Sequence, residues 1–222
     1  MNPVQTTIAS TRSASLATNK LIRNTYILLS MTLLFSAAVA ATALTLRLPA
    51  PGFLLTLVGF FGLFFLTAKL RDSSWGLAAV FALTGFMGYT LGPIVGHYLH
   101  LPNGGQVVMM AMAATGVTFL ALSAYALTTR KDFSFMGGAL FAGLIVAILM
   151  SLGAWLFEIP AMALAVSAMM VLLMAGYILF DTSRMVHGGE TNYIMATIGL
   201  YVSIYNLFLS LLQLLGVFGG DD

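Results

Sequence analysis

The stretch Tyr193–Phe218 reads YIMATIGLYVSIYNLFLSLLQLLGVF. It is long enough to cross a hydrocarbon core, which takes roughly 20 helical residues. Ser203, Asn206, Ser210 and Gln213 recur in it every three or four positions. On a helix they share one face. Polar groups facing hydrocarbon are costly, so this face must look into a protein interior or a wet cavity. The segment is therefore expected at the centre of a membrane bundle.

Composition supports a bundle in lipid. The chain has 222 residues, 60% hydrophobic and 7% charged. A soluble domain carries about 25% charged residues. Six further apolar runs precede the last: Asn24–Leu46, Gly52–Ala68, Ser74–Tyr98, Gln106–Leu127, Phe133–Leu156 and Ala161–Phe180. Pro49 and Pro51, then Pro102-Asn103-Gly104-Gly105, break the intervals, and Pro160 stands where a first helical turn tolerates proline. Intervals this short make successive helices antiparallel neighbours. The expected architecture is an all-α polytopic membrane protein of seven transmembrane helices, with a single domain over residues 20–222. Residues 1–19 are polar and rich in Ser and Thr, and are expected to be a flexible tail.

Charge orients the set. Arg12, Lys20, Arg23, Lys69, Arg71, Arg130, Lys131 and Arg184 are eight of the nine Lys and Arg, and all fall at one end of the alternating spans; Arg47 falls at the other. The positive-inside rule then places the N-terminus in the cytoplasm and the C-terminus, Asp221 and Asp222, outside. A net charge of +2 without a dense basic cluster gives no sign of nucleic-acid binding. No cysteine is present, so thiolate ligands are excluded. His97 and His100 lack an evident third ligand, and His187-Gly188-Gly189-Glu190 has too few donors for a zinc motif. No hydrolase triad, phosphate-binding loop or paired intramembrane acid is legible. Neither a catalytic, a cofactor nor a metal site is expected.

Two groups of residues stand out. Asp181 ends the sixth run, in Phe180-Asp181-Thr182-Ser183-Arg184. An acid just inside the hydrocarbon boundary must be paired, hydrated or protonated. Its local partner would be Arg184, three residues on. Alternatively it faces the bundle interior as a titratable group that gates or binds a cation. In the third run Gly85, Gly88 and Gly92 precede Pro93. Small residues on one face allow close helix packing, and proline favours a kink. That face is either a packing seam or a hinge.

Several stretches resemble the Bax inhibitor family of seven-helix membrane proteins. They are Ala82-Leu83-Thr84-Gly85 through Gly92-Pro93, Leu122-Ser123-Ala124-Tyr125 through Phe135-Met136-Gly137-Gly138, and Phe180-Asp181-Thr182 with the helix after it. Thr128-Thr129-Arg130-Lys131-Asp132 and His187-Gly188-Gly189-Glu190-Thr191-Asn192-Tyr193-Ile194 are similar to the bacterial YccA branch in particular. The resemblance implies six helices surrounding a central seventh. It implies an inner-membrane protein that binds the membrane-bound ATP-dependent protease FtsH and its partner membrane complex, and restrains degradation of membrane proteins. In channel-like relatives an aspartate ending the sixth helix shares a proton with a second in the seventh and gates a calcium leak. Asp181 matches the first position; the second falls at Ser203, so the acid pair is missing. A pH-sensitive cation leak stays as the alternative function.

Overall fold

The computed structural model describes the backbone of residues 3–218 and the side chains of residues 16–217. Helices α1 (Pro3–Thr45), α2 (Phe53–Leu70), α3 (Trp75–Leu99), α4 (Gly104–Thr129), α5 (Gly137–Leu156), α6 (Pro160–His187) and α7 (Tyr193–Phe218) follow in order. A short 3-10 turn, Ser134–Met136, leads into α5. All seven helices are long and apolar enough to cross a membrane. Connections this short make successive helices antiparallel neighbours, so eight of the nine Lys and Arg belong to one end of the alternation, the basic end.

Local chemistry sets the boundaries. Pro160 opens α6, where its missing N–H is harmless. Gly188 closes it at φ 77°, a left-handed conformation that suits glycine. Asn192 caps α7, its Oδ1 accepting from the N–H groups of Ile194 (3.0 Å) and Met195 (3.1 Å). α3 continues through Pro93.

Two boundaries differ from the sequence reading. The sixth helix does not stop at Phe180 but runs two turns further, to His187. An ionisable residue ends an apolar run, yet it does not end the hydrogen-bond ladder. Arg184 and His187 in the last turn also suit the negative end of the helix dipole. α1, for its part, starts at Pro3 and has 43 residues, so residues 3–19 carry helical backbone where composition suggests a flexible tail. Residues 1 and 2, like Asp221 and Asp222, lie outside the described residues.

α7 packs directly on α1, α3, α4 and α6, while α2 lies mainly on α3 and α5 on α6. Ile194, Ile198, Leu200 and Tyr201 of α7 meet Leu29 of α1, Val80 and Leu83 of α3 and Met185 of α6 in the main core. Phe208 and Leu212 close the opposite end against Val107, Val108 and Ala111 of α4. Leu207 packs with Met174 and Ile178 of α6. The exposed faces of α2 and α5, with Leu54, Phe61 and Phe65 on one and Ile148, Leu149 and Leu152 on the other, are apolar and suited to lipid.

The glycines of α3 lie in the α1–α3 seam. A Cβ on Gly88 would run into the Ser36 carbonyl oxygen, and one on Gly92 would stand 2.7 Å from the Ala43 Cβ and 2.8 Å from the Ala40 oxygen. Gly85 faces the Phe35 ring. Their missing side chains let the two backbones approach.

Candidate functional site: the acid of α6 and the polar faces of α7

Because α6 runs on to His187, Asp181 sits inside a helix rather than at its end. Its carboxylate looks into a cavity of about 190 Å³ shared with Phe64 of α2, Arg184, Glu190, and Met195 and Gly199 of α7. Gly199 is the residue of α7 that stands against it: a Cβ there would lie 2.8 Å from Asp181 Oδ2. Ser203 lies four residues on, one turn further from the basic end.

Arg184 forms no ion pair with Asp181. Its Nη2 donates to the Gly189 carbonyl at 2.8 Å and lies 3.9 Å from Glu190 Oε2. Its guanidinium carbon stands 5.5 Å from the Phe180 ring centroid. The i, i+3 pair considered from sequence is replaced by a clasp across the helix end. The Gly188-Gly189 turn brings Glu190 back towards Arg184, and Glu190 Oε1 also accepts from the N–H groups of Thr191 and Asn192, both at 2.9 Å. Asp181 has no hydrogen bond or ion pair among the described residues.

The turn after α6 is tied to the other loops at the basic end. Asn192 Nδ2 donates to the Arg71 carbonyl (3.1 Å) and to Asp72 Oδ1 (2.9 Å). Ser183 Oγ accepts from the Phe133 N–H at 2.9 Å and reaches the Lys131 carbonyl at 3.2 Å. His187 Nε2 lies 3.1 Å from the Arg130 carbonyl. Asp132 Oδ1 accepts from the Ser134 N–H at 2.8 Å. Hydrogen bonds from Ser134, side chain and backbone, hold the Asp132 carboxyl below its ordinary range.

The four residues of the stripe are not used alike. Gln213 Oε1 accepts from Ser167 Oγ of α6 at 2.7 Å, and Asn206 Nδ2 donates to the Val202 carbonyl of its own helix at 2.9 Å. Ser203 and Ser210 are buried. Neither they nor Asn206 or Gln213 line the cavity at Asp181.

A second polar face was missed from sequence. Tyr201 and Tyr205 are four apart and point away from the stripe, towards α1 and α3. Tyr201 Oη lies 2.5 Å from Ser36 Oγ and 3.3 Å from the Thr84 carbonyl. Both contacts are satisfied when Ser36 donates to the phenol and the phenol donates to the carbonyl. Tyr205 Oη lies 2.8 Å from Thr90 Oγ1, which itself donates to the Met87 carbonyl at 2.7 Å, so Tyr205 is the donor. The rings stack with centroids 6.3 Å apart. The i, i+4 spacing of two tyrosines was the available signal.

Residues 18–220 match the family described as Inhibitor of apoptosis-promoting Bax1. The chain belongs to the Bax inhibitor family. Among relatives of this Bax inhibitor family member, an uncharacterized Pseudomonas aeruginosa protein is 58% identical over 201 residues, 90% of each chain. The Escherichia coli protein called Modulator of FtsH protease YccA is 50% identical over 210 residues, 95% of each chain. An uncharacterized membrane protein of Vibrio cholerae is 45% identical over the full length of both chains.

Proposed function

We propose that this family member is an inner-membrane modulator that binds the protease FtsH and restrains its degradation of membrane proteins. The observation that carries the reading is 50% identity, over 95% of both chains, to a protein named for that activity. The bundle suits the role. Its interior helix is tied to α1, α3 and α6 by hydrogen bonds, so a pulling enzyme must break several buried contacts together.

The N-terminus lies in the cytoplasm and the C-terminus in the periplasm, on the strength of the Lys and Arg distribution. The bundle is built around α7: four helices touch it directly, Phe64 of α2 reaches the cavity beside its first turns, and α5 stands behind α6. Residues 2–19 are the handle that the protease takes. An α-helix rises 1.5 Å per residue, so the 43 residues of α1 are about twice what a core of roughly 30 Å requires. Its early part therefore extends beyond the bilayer. Deleting residues 2–19 should slow degradation of the protein by FtsH while co-purification through the membrane helices survives. Normal degradation of the truncated protein would remove the handle, and loss of co-purification by the full chain would remove the modulator.

One observation favours a second reading, a cation leak: Asp181 faces a cavity without an ion-pair partner among the described residues. Against it stands Ser203 where the channel-like pattern has an acid. Calcium flux into proteoliposomes that is abolished by Asp181→Asn would establish this second activity.

A further inference from the structure

A larger cavity, about 380 Å³, lies between α1, α4 and α6 at the basic end. Thr18, Asn19 and Arg130 give it a polar side, and Ile22, Leu127 and Val186 an apolar one. No carboxylate lines it. Arg130 makes no ion pair among the described residues. Its backbone is pinned, the N–H donating to the Ala126 carbonyl at 3.1 Å and the carbonyl facing His187 Nε2. The side chain is the part left free to meet a ligand.

A second observation lies one turn behind the cavity. Thr25 Oγ1, Tyr26 Oη, Ser123 Oγ and Thr182 Oγ1 are buried with no hydrogen-bond partner among the described residues. Other hydroxyls in these helices, such as those of Thr32, Thr115 and Ser167, donate to a backbone carbonyl three or four residues back. The orphans do not, although an unpaired buried hydroxyl is costly. Their positions are related to the cavity. Tyr26 is four residues from Ile22, Ser123 four from Leu127, and Thr182 four from Val186. Each therefore lies on the cavity's face of its helix, one turn deeper into the bundle.

We infer that this cavity binds the head group of an anionic phospholipid. The phosphate sits against Arg130 at the mouth. Ile22, Leu127 and Val186 separate it from the orphaned hydroxyls. A head group that carries hydroxyls, as phosphatidylglycerol does, supplies partners for Tyr26, Ser123 and Thr182 once the three apolar side chains shift. A cation paired with hydroxyl donors, with no acid in the lining, selects an anion over a cation. The position at the basic end of a membrane bundle selects a lipid over a soluble phosphate.

The test uses the full chain in nanodiscs of phosphatidylcholine with and without phosphatidylglycerol, read by native mass spectrometry and by the thermal unfolding midpoint. Phosphatidylglycerol should stay bound and raise the midpoint. Arg130→Gln should weaken retention roughly tenfold or more, as loss of a charge-assisted hydrogen bond does. Lys69→Gln, an exposed cation at the same end but outside the cavity, should leave retention unchanged. Ser123→Ala should not lower the midpoint in pure phosphatidylcholine, where it removes an orphan, yet should weaken phosphatidylglycerol retention. Equal behaviour of the two lipids would mean that the hydroxyl layer holds water only, and would overturn the proposal. So would equal losses in Arg130→Gln and Lys69→Gln, which would mark a diffuse surface attraction. A midpoint rise reproduced by inorganic phosphate in pure phosphatidylcholine would assign the site to the free anion and refute the lipid.

Discussion

Gly199 of α7 makes the room that the Asp181 carboxylate of α6 occupies: a Cβ at position 199 would stand 2.8 Å from Oδ2. The missing side chain leaves room for the acid at the α6–α7 interface, while Arg184 donates to the Gly189 carbonyl and stands 3.9 Å from Glu190. Gly199→Ala is predicted to destabilise the bundle by about 1–3 kcal/mol, as overpacking does. The same substitution on an Asp181→Ala background should cost clearly less, because the clash is gone. Unfolding midpoints of the four proteins of this cycle in one detergent measure the coupling. Additive costs would show that the two residues do not share the space.

Two helical glycines differ in their surroundings, Gly88 of α3 in the α1–α3 seam and Gly62 of α2. At Gly88 a Cβ meets the backbone oxygen of Ser36, which cannot swing aside. At Gly62 it meets nothing within 4 Å. Gly88→Ala should therefore cost about 1–3 kcal/mol. Gly62→Ala should be neutral or stabilising by up to about 1 kcal/mol through helix propensity. Thermal unfolding of the two single variants compares them directly.

Tyr201 and Tyr205 should differ in consequence. Tyr201→Phe strips the acceptor from the Ser36 hydroxyl, which is buried, so the loss should be about 1–3 kcal/mol. Tyr205→Phe leaves Thr90 donating to the Met87 carbonyl and should cost less, about 0.5–1.5 kcal/mol. Adding Ser36→Ala to Tyr201→Phe should cost little more than Tyr201→Phe alone, since the orphaned hydroxyl goes with it. Chemical denaturation of the three variants reads the order.

The α4–α5 turn should respond to acid. Hydrogen bonds from Ser134 depress the folded pKa of Asp132 below its ordinary 3.8. Its stabilisation of the turn is therefore complete above the unfolded value and is lost as pH falls through the lower folded value. Asp132→Ala should speed amide exchange at Ser134 near neutrality. The difference from wild type should shrink in acid below the folded value, when the wild-type carboxyl is itself protonated. Hydrogen exchange measured across that range checks the sign.

The bundle was legible because lipid imposes a simple rule: runs of apolar residues cross it, and cations gather at one end. Asn192 and Pro160 announced helix starts by their own chemistry. The end of α6 was harder to read. Asp181 interrupts hydropathy, but the helix is carried past it by Arg184, Gly188 and Glu190, whose contacts form only once the turn has folded back. Within the stripe on α7, Gln213 finds Ser167 on another helix. The stripe gave no warning that the opposite face is polar as well, because tyrosine reads as apolar while its hydroxyl needs a partner such as Ser36 or Thr90. Gly199 could not be found from sequence at all, since its role depends on which residue of α6 stands opposite.

As a modulator, this Bax inhibitor family member would bind FtsH and slow its degradation of membrane proteins. The most direct measurement is the rate at which purified FtsH degrades a membrane-protein substrate in proteoliposomes, with and without the full chain. The account predicts a slower rate that falls further as the chain is added, with co-purification of the two proteins. An unchanged rate at every ratio, with FtsH active and the chain folded in the same vesicles, would contradict it.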